Sequence, residues 1–260
     1  MKASCDTMTK VILDSKIWVN LLSSLGENIT DVVINASAPS TIEYHAAHST
    51  YYVHYKVTHE NSVKRGGNLT ITDMKKTLTF LKNCKGDVTV QQSVSKLSLK
   101  CNNKKMTIPL LNCKSAQLAP TMSSLVENSR KGQWIGFGRG TFTTHGTVNF
   151  GDLIDGAKIA KSLSVNSEFL IKSNAEEKEL ILHAFKTGGT SIICNTEIKD
   201  AQGPNHTTSS SFGSWLLGCL TMLDGNVDST IHCGDSMVLA IEQSGEGWER
   251  TIIVLDQDVA

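Results

Sequence analysis

Seven lysines in this chain fall on or beside stretches with helical spacing. Four, Lys75, Lys76, Lys82 and Lys85, fall within residues 73–85 (DMKKTLTFLKNCK); the others are Lys16, Lys158 and Lys161. An ammonium on a flexible stem is a point charge with three donors, and a face of them on a neutral protein suits a polyanion. The other residue types capable of chemistry group poorly. His45, His48, His54 and His59 cluster in sequence, but on alternating strands their side chains are not expected to converge and nearby carboxylates are few. They read as ordinary strand histidines, and no metal site is expected. The glycine-rich GFGRG at 136–140 does not sit between a strand and a helix, as a phosphate cradle would. Glu176, Glu177 and Glu179 read as a solvated hairpin. There is no G-x-S-x-G elbow and no Cys–His arrangement of telling spacing. No catalytic residue and no cofactor is expected.

The lysines need helices to carry them. Residues 73–85 are the clearest helix in the chain: Met74, Thr77, Leu78 and Leu81 recur at three- and four-residue spacing, while Lys75, Thr79 and Lys82 run down another face. Thr72 is the expected N-cap and Gly86 the expected stop. A strand at 68–71 precedes this helix, and strands at 87–92, 96–101 and 104–111 follow it. The same order of strand, helix and three strands begins at 10–13. There the helix is 15–25, with Ile17, Leu21, Leu22 and Leu25 inward, and the strands are 31–36, 41–46 and 51–58. After a break it returns at 141–150, with helix 151–163 and strands 168–173, 179–186 and 190–198; Gly188-Gly189 is a hairpin signal between the last two. A fourth copy has strand 206–210, helix 211–223 and strands 226–233, 236–243 and 248–255. The pattern thus occurs four times at a spacing of roughly sixty residues, in pattern rather than in letters.

Size and composition agree. With 260 residues, the chain is long enough for two ordinary domains. Its 25 basic and 25 acidic residues cancel, so bulk charge names no partner. No apolar run approaches the ~20 residues that span a membrane, and nothing resembles a secretory signal. Seven widely spaced cysteines without a C-x-x-C pair read as free thiols of a reducing, intracellular compartment, cytoplasm or nucleus. The expected class is α+β. Two pseudo-equivalent domains, 1–118 and 141–260, each hold two β-α-β-β-β units with helices on one face of the sheets, joined by a connector at 119–140. Each helix offers one apolar stripe to a sheet, so the opposite faces, with the seven lysines, share a surface. Most helix lysines are ordinary solvated side chains. The bias rests chiefly on the second helix; the third mixes Asp152 and Asp155 with Lys158 and Lys161, and the fourth, SFGSWLLGCLTML, has no base.

With these units in view, the chain resembles the DNA sliding clamps of the proliferating cell nuclear antigen type, phage clamps included. The stretches nearest that style are NLTITDMKKTLTFLKNCKGDVTV at 68–90, VNFGDLIDGAKIAKSLS at 148–164 and AAHSTYYVHY at 46–55, although the last lacks the family's usual acidic residue. The resemblance implies a ring of copies, with a homotrimer favoured, whose helices line a hole for duplex DNA. Lys16, Lys75, Lys76, Lys82, Lys85, Lys158 and Lys161 would then meet phosphates loosely and without sequence readout. It implies subunits joined edge strand to edge strand, through Lys105, Thr107 and Leu111 of one half and Glu179, Ile181 and His183 of the other. It also implies a partner-peptide pocket beside the connector, at His48, Tyr51, Leu118, Met122 and Leu125, serving a DNA polymerase and a clamp loader. Two alternatives keep less of the family: a monomeric viral-type processivity factor with a basic surface, and a β-rich viral structural protein.

Overall fold

Alternation of buried and exposed side chains sets most of the strands, and short polar caps set the helices between them. A computed structural model describes residues 8–26, 28–37, 39–111, 120, 124, 127, 130–131, 133–134, 142–162, 168–185, 189–234 and 238–255. The chain divides into two compact units. One comprises 1–48, 53–120 and 246–249; the other comprises 49–52, 121–245 and 250–260. The expected connector, 119–140, lies mostly outside the described residues. Within it a two-residue ladder pairs β10 (Arg130–Lys131) with β11 (Gln133–Trp134).

The first unit opens with β1 (Thr9–Asp14), whose residues alternate between buried and half-buried. Asp14 ends the strand and caps α1 (Ser15–Ser23), its carboxylate accepting from the Lys16 amide at 2.8 Å. The buried side of α1 is Trp18, Leu21 and Leu22, with Leu25 just beyond. The expected Ile17 is only half-buried. Trp18 takes the core position instead because its large ring fills more of the interior, and its indole N–H donates to the Val88 carbonyl at 3.3 Å. The strands β2 (Val32–Ser37), β3 (Thr41–His48), β4 (Tyr51–Thr58), β5 (Val63–Arg65) and β6 (Gly67–Ile71) follow.

The next helix, α2 (Met74–Lys82), is shorter than expected at both ends. Asp73 rather than Thr72 caps it, because the Asp73 carboxylate reaches the Lys76 amide at 3.0 Å, whereas the Thr72 hydroxyl donates to the Pro109 carbonyl. Asn83 is its C-cap, and Gly86, at φ +80°, makes the turn into the next strand rather than stopping the helix. The unit continues with β7 (Asp87–Gln92), β8 (Lys96–Cys101) and β9 (Lys104–Pro109).

The repeats do not fold as separate sheets. The lead strand of the first repeat, β1, joins the strands of the second, in the order β5-β1-β7-β8-β9. The lead strand of the second, β6, joins the first in the order β4-β3-β2-β6. The helices α1 and α2 pack on each other.

The second unit repeats the exchange. It contains β12 (Thr144–Asn149), α3 (Gly151–Ser162), β13 (Glu168–Asn174), β14 (Glu179–Phe185), β15 (Ser191–Gln202), β16 (Thr208–Phe212), α4 (Trp215–Thr221), β17 (Asp228–Cys233), β18 (Val238–Gly245) and, from Arg250 onward, β19 (Trp248–Leu255). β12 leads the third repeat yet pairs with β17 of the fourth, and β16 leads the fourth yet pairs with β13 of the third. α3 packs on α4. The helix expected at 211–223 begins later, at Trp215. Ser211 and Phe212 are still in the β16 ladder, opposite Leu170 and Phe169, and the Phe212 ring is fully buried. A polar network pins the loop after α4. Gln243 donates to the Asp224 and Val227 carbonyls at 2.9 and 3.2 Å, and the buried Arg250 guanidinium donates to the Met222 carbonyl and the Gln243 side chain.

Candidate nucleic-acid interface

The outward faces of the helices decide what can meet a polyanion. On α1 the exposed residues Lys16, Asn20 and Ser23 fall at four- and three-residue spacing and form one stripe. On α2 the stripe is Lys75, Thr79 and Lys82, with exposed Lys76 beside it and exposed Lys85 just past the helix. Lys104 extends this basic ridge: its ammonium donates to the Asn83 carbonyl at 2.7 Å, at the negative end of α2. Lys104 escaped the sequence reading because it sits on a strand. The signal was the turn Asn102-Asn103, where Asn102 adopts φ +51° and folds β9 back beneath the helix end.

The lysines are not equivalent. Lys76 is paired with Asp73 at 2.7 Å, and its side-chain hydrogen bond is the main cause that holds the Asp73 carboxyl below its ordinary range and raises the lysine. On α3, Lys158 is paired with Asp155 at 2.8 Å, while Asp152 and Lys161 are both exposed. Lys16, Lys75, Lys82, Lys85 and Lys161 make no ion pair among the described residues. The first unit therefore presents a positive helix surface, and α3 of the second a nearly balanced one. α4 carries no charge.

The two strands expected to join subunits differ. β9 carries exposed Lys105 and Thr107 and, among the described residues, pairs only with β8, leaving its other edge free. Leu111 lies past its end and is 66% exposed. Glu179, Ile181 and His183 require correction, because β14 has no free edge. It pairs with β13 on one side (Lys172↔Ile181) and β15 on the other (Ile181↔Asn195). Among the described residues the free edge is the start of β15: residues 191–197 pair with β14 alone, and β12 joins β15 only from Ile198 onward. On that edge strand Ile193 is 65% exposed. The sequence placed the edge one strand early because alternation marks a strand and not its neighbours.

Of the expected peptide pocket, His48 is half-buried at the end of β3 and Tyr51 is fully buried at the start of β4. Leu118, Met122 and Leu125 lie outside the described residues, as does GFGRG at 136–140. The acidic turn is an exposed hairpin in which the Asn174 side chain accepts from the Glu176 and Glu177 amides. The expectation that the histidines would not converge fails for two of the four: the rings of His45 and His54 stack with centroids 4.2 Å apart.

No protein-family model matches the sequence, and no curated protein sequence matches it either. Solved structures do. The PCNA of Thermococcus kodakaraensis superposes with a TM-score of 0.68 at 15% identity, over 95% of this chain and 98% of that one. The A. fulgidus PCNA bound to the C-terminal region of FEN-1 gives 0.67 at 13% identity, over 95% and 97%. The DNA polymerase III β chain of Streptococcus pneumoniae gives 0.69 at 14% identity, over 98% of this chain and 66% of that one. These clamp structures cover 95–98% of the chain, and the chain has the sliding-clamp fold of the proliferating cell nuclear antigen type.

Proposed function

We propose that this protein is a non-enzymatic DNA polymerase processivity factor that encircles duplex DNA as a ring of its own copies, with a trimer favoured. The observation that carries the reading is the stripe of lysines, Lys16, Lys75 and Lys82 with Lys85, unpaired among the described residues, on the paired helices of a clamp fold. Such charges attract phosphates without reading bases, and contacts that are few and loose allow sliding. Two edges, β9 and residues 191–197 of β15, are free among the described residues, and their backbone groups would complete each other between copies. Partners on this reading are double-stranded DNA, a polymerase and a clamp loader. Tethered proteins that carry a docking peptide complete the reading, on the analogy of the FEN-1 segment held by the A. fulgidus PCNA.

The test is topological. A ring loaded on nicked circular DNA stays bound in high salt and is released when the circle is cut open. A factor that grips the backbone electrostatically is washed off both forms. Retention on the circle with release on linearisation is the expected result.

A second reading, a monomeric factor with a basic outer surface, has one observation in its favour. Lys10, Lys96, Lys100 and Lys105 line a single groove with Met8, Thr89, Gln91, Ser93 and Ser98, and no carboxylate is among its described lining residues. These residues alternate with the buried Val11, Val90, Leu97 and Leu99, so the groove is on the sheet face away from the core. Equal release from circle and line, with binding abolished by Lys96→Glu and Lys100→Glu together, would select this reading over the ring.

A further inference from the structure

We propose that Glu43, His45 and His54 form a binding site for a divalent transition cation of the zinc class. Glu43 and His45 are two residues apart on β3 and therefore share one face of the strand. His54 on the neighbouring β4 stands beside them. The rings of His45 and His54 are parallel to within 1°, with centroids 4.2 Å apart, and His54 Nε2 lies 3.5 Å from Glu43 Oε2. One donor atom from each of the three residues lies within 4.8 Å of the other two. Ligands held at about 2.0–2.2 Å from a tetrahedral zinc ion stand roughly 3.4 Å apart. One pair is therefore already at that spacing, and the third donor needs only a small side-chain rotation.

The donor set suits this class of ion. Two neutral imidazoles and one carboxylate favour zinc and its neighbours over magnesium or calcium, which prefer all-oxygen shells. Three protein ligands leave a fourth position for water. The His54 and Glu43 side chains are 20% and 27% exposed, which gives the ion a path in while removing much of the competing solvent. Lys56, on the same face of β4 as His54, does not occupy the Glu43 carboxylate; its ammonium is held by Glu249 at 3.0 Å. All of these residues belong to one unit of the chain. A bound ion would cross-link β3 to β4 through side chains, away from the helix lysines, so the inference does not depend on DNA binding.

A second imidazole pair in the chain provides an internal control. His145 and His232 face each other through Nδ1 atoms 2.8 Å apart, so one ring donates to the other and the nitrogens are engaged together rather than turned toward a common ion. The experiment strips the full-length protein with a chelator and titrates it with Zn2+ by calorimetry and with Co2+ by visible absorption, in parallel with His54→Gln, Glu43→Gln and His145→Gln. One ion per chain is expected, with affinity falling at least tenfold in His54→Gln and in Glu43→Gln and unchanged in His145→Gln. Zinc is also expected to raise the melting temperature of the native chain and not that of His54→Gln. X-ray absorption on the zinc-loaded native chain needs no variant, and a first shell containing two imidazoles is the supporting result. The absence of stoichiometric binding, binding that survives both site substitutions, loss in His145→Gln, or a shell without imidazole would overturn the proposal.

Discussion

Asp73 illustrates how one side chain serves both helix and charge. Its carboxylate caps α2 through the Lys76 amide and pairs with the Lys76 ammonium, and both contacts favour the ionised form. A carboxyl whose folded value is depressed contributes stability above its unfolded value, near 3.8, and loses it as the pH falls through the lower folded value. Asp73→Ala is therefore expected to cost about 1 kcal/mol at neutral pH, the usual worth of an N-cap, in a urea titration. The difference from the native chain should shrink on acidification into that window. If the gap is the same at pH 7 and in strong acid, the cap is not acting through its charge. The thiols offer a second test at this scale. Burial pushes Cys233 up to about 11, and burial together with a hydrogen bond that the Cys84 thiol donates to Cys101 does the same for Cys84, against an ordinary 9.0. The rise means about a hundredfold less thiolate at neutral pH, so both should react with an aromatic disulfide reagent about a hundredfold more slowly in the native chain than after denaturation. Labelling at the unfolded rate would show that these sites open readily.

At the scale of elements, α3 depends on a missing side chain. A Cβ at Gly156 would stand 2.1 Å from the Cys194 sulfur and 3.1 Å from its Cβ, so the glycine lets the helix lie close against β15. Gly156→Ala is expected to destabilise the fold by about 1–3 kcal/mol as an overpacked contact, despite alanine's better helix propensity. Cys194→Ala, by removing the sulfur, should recover part of the loss; a double variant no better than the single one would place the clash elsewhere. The lysine stripe of α2 is tested by Lys75→Glu combined with Lys82→Glu, both exposed and neither in an ion pair among the described residues. Weaker binding to duplex DNA with a shallower salt slope, and shorter primer-extension products, are expected without loss of helicity. Unchanged extension at moderate salt would remove α2 from the DNA interface.

At the scale of the whole molecule, the prediction concerns assembly. Ile193 is 65% exposed on the free part of β15, where a charge does little to the isolated chain. Ile193→Lys should lower the mass seen by light scattering at a given micromolar concentration, with an unchanged circular dichroism spectrum. A native chain that is monomeric at every concentration would count against the ring, and an oligomer indifferent to Ile193→Lys would move the interface off this edge.

Much of the architecture was legible before any coordinates, because burial imposes its period on the letters. TKVILD, KLSLKC and ELILHAF alternate as half-buried strands must, and DMKKTLTFLK carries its apolar stripe and its lysines at helical spacing. Four such series in one order were enough to indicate two paired units. The chain's letters did not say which strand lies beside which. An alternating strand looks the same whichever sheet receives it, so the exchange of β1 with β6 and of β12 with β16 was invisible, as was the interior position of β14. The same limit hid the convergence of His45 and His54. Neighbours along a strand are dictated by local geometry, but neighbours across strands depend on a register that only the closed tertiary structure decides.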